Sequence, residues 1–492
     1  MRRSMKLYFS DFFEVSRADL RRHGAFDISL LADLPLFIDP FLLFNSRKSE
    51  YRALHKRIID YLLFLRDKSE NPSLDRGLVR ALYTFHEVRQ NWLGFSIVGN
   101  KGSGLGTKFA RALHGNLHRI FHEFGKEQIS KGSHLEKLCL IEAGVGRDNI
   151  SDFTTNLIKE HLLEYTQTFT KSFIRKGLRK RFLIKKVRFN YETETWEARQ
   201  FLLPQFENDF VLLTPKNLLT REDTWINRHD LISDFDRMQE ALPNDQLRAQ
   251  VNNYFLKMLP RDATPRERNA ARMSTIHEFP VLVDAYIRYK EDNGHEAVAT
   301  SASKVRLSEQ IYLEQFGALS GMLDRHSAFY KIGGLTYREA QRRVGFLKDV
   351  IENKGGHKVF YVKGKPIQRE ADVHILYRLT WFATSSDVSR EVNDGRGPAD
   401  FKISRGARDK TLVEFKLASN PNLEKNLAHQ TKVYEKASDA KRALKVILYF
   451  SKAEYEHVVA VLERLKLEKE QTIILIDACS DNKPSGSKAR AA

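Results

Sequence analysis

Cysteine is nearly absent: Cys139 and Cys479 are the two in 492 residues. So wide a separation offers no disulfide framework and no thiolate zinc site, and it agrees with a reducing cytoplasm as the expected compartment. Long apolar runs are missing as well. Met1 to Val15 is interrupted by Asp11 and Glu14, and Leu34 to Phe44 by Pro35, Asp39 and Pro40, so neither stretch reads as a signal peptide or a membrane anchor. No membrane partner is expected. His134, His161, His277, His295 and His374 are scattered without a His-Glu-x-x-His spacing, and no zinc role is assigned to them. A Gly-x-Ser-x-Gly elbow is lacking, which removes the case for serine hydrolysis. Acid is scarce relative to base: 63 Asp and Glu face 81 Lys and Arg, a formal charge of +18. Such an excess draws a chain towards polyanions, and nucleic acid is the leading candidate.

What is present is ordinary globular composition, 42% hydrophobic and 29% charged, in a length that suggests about three domains. Apolar spacing such as Ile58, Tyr61, Leu62 and Leu65 marks helices from Arg52 to about Phe124, and a further helix is expected from about Ile150 to Phe173, capped by Asp148 or Ser151. Short β-like runs follow at 201–203 and 210–213. A helix from Thr336 to Glu352 is ended by Asn353-Lys354-Gly355-Gly356. The expected organisation is a mainly helical N-terminal domain over 1–190, an α+β middle domain over 191–335, an α/β domain over 336–479 and a disordered tail over 480–492. Between Lys171 and Arg188 nine Lys or Arg residues occur with no acid, interleaved with Phe173 and Phe182. Lys185, Lys186 and Arg188 are the candidates there for phosphate contacts. Gly99 to Gly106 could cradle a phosphate on backbone amides but lacks the Gly-Lys-Ser/Thr ending of a nucleotide-binding loop.

The residues that bear chemistry lie between Ala399 and Leu417, which read as two alternating strands joined by Arg405-Gly406-Ala407-Arg408-Asp409. On the first strand Ala399, Phe401 and Ile403 take the apolar face and leave Asp400 and Lys402 on the other. On the second, Val413, Phe415 and Leu417 take the core face and leave Glu414 with Lys416. A hairpin symmetric about Ala407 pairs positions whose numbers sum to 814. Asp400 then lies across from Glu414. Opposed carboxylates roughly 5 Å apart at Cβ repel one another unless something neutralises them, and a divalent cation with an oxygen preference, Mg²⁺, is the natural compensation. Lys416 would reach an attacking water or a scissile phosphate and favour the charge of a pentavalent transition state.

Pro398-Ala399-Asp400, a hairpin, and Glu414-Phe415-Lys416 together resemble the PD-(D/E)xK nuclease superfamily, of restriction-endonuclease-like fold, over about Thr336 to Asp477. One residue, Ala399, separates Pro398 from Asp400, a spacing the superfamily tolerates. Downstream, a helix expected over Asn422 to Ala437 carries Gln430-x-x-x-Tyr434, similar to the RecB-like branch, in which the glutamine organises the active site. Strands at Val446–Phe450 and Thr472–Ile476 flank a helix from Lys452 to about Leu467, the α/β order that fold requires. The resemblance implies a mixed sheet flanked by helices and Mg²⁺-dependent hydrolysis of nucleic acid, DNA favoured, with Mn²⁺ as an alternative ion. Asp400 and Glu414 would hold metal and Lys416 and Gln430 would complete the catalytic set. Glu370 is preferred over Glu391 as a further metal ligand, while Arg396, between Gly395 and Gly397, and Tyr434 would contact substrate. The same resemblance implies a bacterial restriction or antiphage-defence effector, pairing as a homodimer and answering to a protein or phage trigger. A nucleic-acid-binding or sensor protein on an inactive nuclease fold, and an RNA-cleaving toxin, remain the alternative readings.

Overall fold

Helical spacing of apolar residues governs the first half of the chain. The computed structural model describes residues 6–30, 33–69, 76–94, 105–120, 129–141, 145–221, 223–315, 335–362, 365–366, 373–374, 377, 380–381, 387–393, 398–405, 409–428 and 442–483. They fall into two compact units, one running from residue 8 to 306 and one from 307 onward, which also takes in residues 6 and 7.

The first unit begins with α1 (Phe9–Phe13) and α2 (Arg17–His23). Ser16 caps α2 by accepting from the Asp19 amide, and Gly24 ends it at φ +82°, a left-handed conformation that costs glycine little. Strand β1 (Leu36–Ile38) leads into α3 (Pro40–Phe44), which Asp39 caps through the Phe41 amide. In α4 (Ser49–Lys68) the residues Tyr51, Leu54, Ile58, Tyr61, Leu62 and Leu65 recur at three- and four-residue steps and are buried, as the spacing predicts. Next come α5 (Arg76–Leu82), α6 (Thr107–Ile120) and α7 (Lys137–Ile141). The single helix expected over 150–173 is two, α8 (Arg147–Leu157) and α9 (Lys159–Phe173), broken where Ile158 leaves helical geometry at ψ 12°. Neither Asp148 nor Ser151 is the cap. Gly146 holds that position, with its amide donating to Asn149 Oδ1 at 3.1 Å, while Ser151 Oγ accepts from the Ile38 amide at 2.9 Å.

The strands start earlier than expected: β2 (Arg179–Asn190), β3 (Thr195–Phe206) and β4 (Asp209–Phe210) form an antiparallel meander. The boundary expected at 190/191 therefore falls on the turn of one hairpin. That hairpin is fastened to the helices by aromatic packing, Tyr61 against Phe189 (5.0 Å) and Trp196 (5.4 Å), and Phe85 against Trp196 (5.6 Å). Strand β5 (Leu219–Arg221) returns to pair antiparallel with β1. Helices α10 (Arg228–Ser233), α11 (Phe235–Glu240), α12 (Asp245–Met258), α13 (Pro265–Glu278), α14 (Val281–Asp292) and α15 (Gly294–Ser308) follow. A buried His134–Glu291 pair at 2.9 Å ties α14 back to the segment before α7. By contacts, most of the span expected for the N-terminal and middle domains lies in one unit, and the other unit takes in residues from 307 onward.

In the second unit α16 (Thr336–Asn353) matches its expected span, and Gly355 leaves it at φ +76°. After a short β6–β7 pair (Tyr361–Val362, Lys365–Pro366), strands β8 (Asp387–Asn393), β9 (Pro398–Arg405), β10 (Asp409–Leu417), β11 (Arg442–Tyr449) and β12 (Ile473–Asp477) form one sheet in the order β12-β11-β10-β9-β8. The sheet is mixed: β10, β11 and β12 run parallel, β9 and β8 antiparallel. Helix α17 (Lys452–Arg464) makes the crossover from β11 to β12. One face carries α16, where Thr336 Oγ1 meets Thr411 Oγ1 at 2.8 Å. The other carries α17 and the helical residues 423–428, whose Leu423, Leu427, Val458 and Val461 pack on Ile447. Helix, mixed sheet, helix is the layering expected of the C-terminal third. Cys139 and Cys479 are buried free thiols. Among the described residues no helix is long and apolar enough to cross a membrane.

Candidate active site

Strands β9 and β10 set the geometry. Their pairs run Asp409↔Arg405, Lys410↔Ser404, Thr411↔Ile403, Leu412↔Lys402 and Val413↔Phe401, the register of a hairpin symmetric about Ala407. The paired stretch ends there, and Asp400 and Glu414 are the next residue beyond it on each strand. Phe401, Ile403, Val413 and Phe415 are fully buried, and their alternation turns Asp400, Glu414 and Lys416 to the opposite face. Lys416 Nζ lies 3.3 Å from Glu414 Oε1 and 3.7 Å from Asp400 Oδ2. Asp400 Oδ2 also accepts from the Phe415 amide at 2.7 Å. One ammonium thus serves two carboxylates, and one of these is pinned to the neighbouring strand.

Two further residues converge here that the sequence did not single out. His374 is buried, with Nε2 3.2 Å from Asp400 Oδ2 and its ring edge-on to Phe401 and Phe415. Lys445 on β11 is the register partner of Glu414, is buried, and donates to the Leu427 carbonyl at 3.3 Å. A histidine without local spacing gave no signal. Lys445 sat in a stretch legible only as a buried strand, and nothing local told which strand it would adjoin.

The surroundings drive the two carboxylates apart. Burial penalises the ionised form of Asp400, but the His374 ring, Lys416 and the Phe415 amide together outweigh it and hold Asp400 below the usual carboxylate range. Glu414 is pushed up to about 7, first by burial and then by the charge of Asp400, against the pull of Lys416 and Lys445. Without a bound cation, the pair near neutral pH thus holds one ionised carboxylate and one close to its own titration point. Among the described residues no group of three or more His, Cys, Asp or Glu side chains is placed to hold a metal ion. Asp400 and Glu414 are the carboxylates that the described residues bring together at this face.

Glu370, Arg396, Gln430 and Tyr434 lie outside the described residues, as does most of the Gly99–Gly106 stretch. Glu391 is on β8, whose next two residues pair with Ala399 and Pro398. In the first unit Lys185 and Arg188 are exposed on β2. Lys186 is different. A register shift between Ile184 and Arg188 and a φ of 52° turn it inward, where Nζ donates to the carbonyls of Ala81 and Thr84 at 3.2 Å each. Its ammonium is spent on the end of α5 rather than displayed with its neighbours.

Family comparison finds two separate matches, one within each unit. Residues 14–227 match a domain of unknown function (DUF8370), and residues 336–452 match a second domain of unknown function (DUF8371). The first match spans the β2–β3 hairpin and β5; the second begins with α16 and ends as α17 begins. No curated protein and no solved structure matches.

Proposed function

We propose that the second unit is a Mg²⁺-dependent phosphodiesterase centre acting on DNA, on a restriction-endonuclease-like fold with the RecB-like relationship its motif resembles. The observation that carries this reading is the convergence of Asp400, Glu414 and Lys416 on one face of adjacent strands, with the ammonium 3.3 Å and 3.7 Å from the two carboxylates. Two hard carboxylate donors, one ionised well below neutrality and one giving up its proton at about 7, suit a small divalent cation that fills its remaining positions with water and phosphate oxygens. Asp400 and Glu414 would hold it. When bound, Mg²⁺ supplies Lewis-acid polarisation of the phosphoryl group and acidifies a water. His374 and the Phe415 amide fix the orientation of Asp400. Lys416 positions the nucleophilic water and opposes the charge that develops on phosphorus oxygens. Gln430, Glu370, Arg396 and Tyr434 join this set by resemblance, as organiser, metal ligand and substrate contacts. The setting the resemblance implies is bacterial restriction or antiphage defence, with a homodimer cutting both strands and the first unit receiving a trigger.

Purified protein incubated with plasmid, single-stranded DNA and RNA, with Mg²⁺, Mn²⁺ or EDTA, tests this. Metal-dependent cleavage of DNA supports it. Preferential cutting of RNA would redirect it to a ribonuclease, and tight binding without metal-dependent cleavage of any substrate would reduce the fold to a binding platform.

A further inference from the structure

A cavity of about 400 Å³ opens in the first unit between β2, the start of α9 and the segments around residues 87 and 211. It is far from the residues assigned to hydrolysis in the chain, and its chemistry is different. The walls are mainly apolar: Val88, Leu163, Ile184 and Leu212 are buried there, while Leu183 stays 63% exposed. Three lysines, Lys159, Lys185 and Lys186, are among its lining residues.

These lysines are not equivalent. Lys186 is satisfied by the carbonyls of Ala81 and Thr84 and lies 5.5 Å over the Phe85 ring. Lys185 is exposed. Lys159 is mostly withdrawn from solvent, yet its ammonium has no hydrogen-bond or ion-pair partner among the described residues. Burial and the nearby charge of Lys186 push it down to about 8. Glu87, the carboxylate on the lining, does not compensate it. Glu87 faces Arg89 at 3.6 Å and adds to the repulsion, after burial and Asp148, that raises Asp152 to about 8. A half-buried ammonium near a second one, with no counter-charge from the described residues, is a cation that an anion entering the cavity would neutralise.

Two features narrow the ligand. Two lysines on the lining whose ammonium groups have no partner among the described residues, Lys159 and Lys185, match the charge of about −2 on a phosphate monoester better than the single charge of a carboxylate. The apolar remainder, including the Phe210 ring, calls for a largely apolar or aromatic body in a cavity within the ~300–1,000 Å³ usual for small-molecule sites. We propose that this cavity binds a nucleoside-phosphate unit, its phosphate between Lys159 and Lys185 and its base against Leu163, Leu183 and Phe210. The unit is either a free nucleotide or the 5′-phosphorylated end of a strand. This assignment stands apart from the nuclease reading and survives if that reading fails.

Isothermal titration of the full chain in EDTA, which suppresses metal-dependent hydrolysis, tests it with four 5′-mononucleotides, the matching nucleosides, inorganic phosphate and a short 5′-phosphorylated oligonucleotide. A single saturable site for a mononucleotide or for the oligonucleotide is expected, much weaker for the nucleoside. Tighter binding of the oligonucleotide than of any mononucleotide identifies a strand end as the source, and the reverse identifies a free nucleotide. Lys159→Met, which keeps the side-chain length and removes the uncompensated charge, should weaken binding roughly tenfold or more while melting no lower than the wild type. Lys185→Ala, on the exposed side, should weaken it without touching the core. Absence of saturable binding for every phosphate-bearing probe, or undiminished binding by both variants, would overturn the proposal.

Discussion

Glu414 and Asp400 share one ammonium and answer differently to pH, and this gives the site its most direct residue-level consequence. Glu414 titrates at about 7 in the folded protein, above the roughly 4.3 of an unfolded glutamate. A carboxyl raised in this way stabilises the fold fully below its unfolded value, and that contribution is lost as pH rises through the folded value. Glu414→Gln mimics the protonated form at every pH. In metal-free urea denaturation the variant should equal the wild type near pH 4.5 and exceed it at pH 8 by on the order of 1–3 kcal/mol. A difference independent of pH would show that Glu414 is not held in the environment described. Asp400 and Lys416 were legible in the sequence because strand alternation sorts them by face without any tertiary information. His374 was not, since its contact with Asp400 depends on how a distant segment packs on Phe401 and Phe415.

At the scale of elements, the hairpin that carries the site is braced from behind by a buried charge network. Glu339 on α16 receives Arg343 at 2.8 Å and Arg405, the last residue of β9, at 2.9 Å. Arg343 in turn donates to the Thr380 carbonyl and stacks 4.6 Å from the Trp381 ring centroid. Glu339 and Arg343 are both fully buried, so Glu339→Ala strands a guanidinium in the core. Its cost should be about 3–5 kcal/mol in urea unfolding, and a loss below about 1 kcal/mol would mean that the network is not closed as described. The β9–β10 register was legible because five residues link strands of strict alternation, leaving a symmetric hairpin as the simple solution; the observed pairs from 405/409 to 401/413 follow it. Other elements were misjudged for local reasons. Nothing in 150–173 marks the break at Ile158, and the basic run from Lys171 hid the start of β2 because lysine and arginine mask the alternation of a strand.

For the molecule as a whole, β2 displays part of the charge of +18 through Lys185 and Arg188, and the proposed reading sets that charge against a polyanion. DNA affinity measured in EDTA should fall steeply with salt, with a logarithmic slope of roughly −0.9 for each phosphate neutralised on duplex. Lys185→Ala combined with Arg188→Ala should lower the size of that slope by about 1 to 2 and leave the melting temperature unchanged. An unaltered slope would remove β2 from the interface. The division of the chain was only half legible. The start of α16 could be read from its glycine-flanked helical pattern, whereas the union of residues 8–306 depends on β1 pairing with β5 and on Tyr61 and Phe85 meeting Phe189 and Trp196, contacts between segments too distant for any local pattern to announce. The central claim remains the chemistry of one face of β9 and β10. Its most direct measurement is the initial rate of DNA cleavage against Mg²⁺ concentration for the wild type and Lys416→Ala. The account predicts a saturable, EDTA-abolished rate in the wild type and a loss of roughly 10²-fold or more in the variant, with fold and DNA affinity retained. Undiminished cleavage by Lys416→Ala would contradict it.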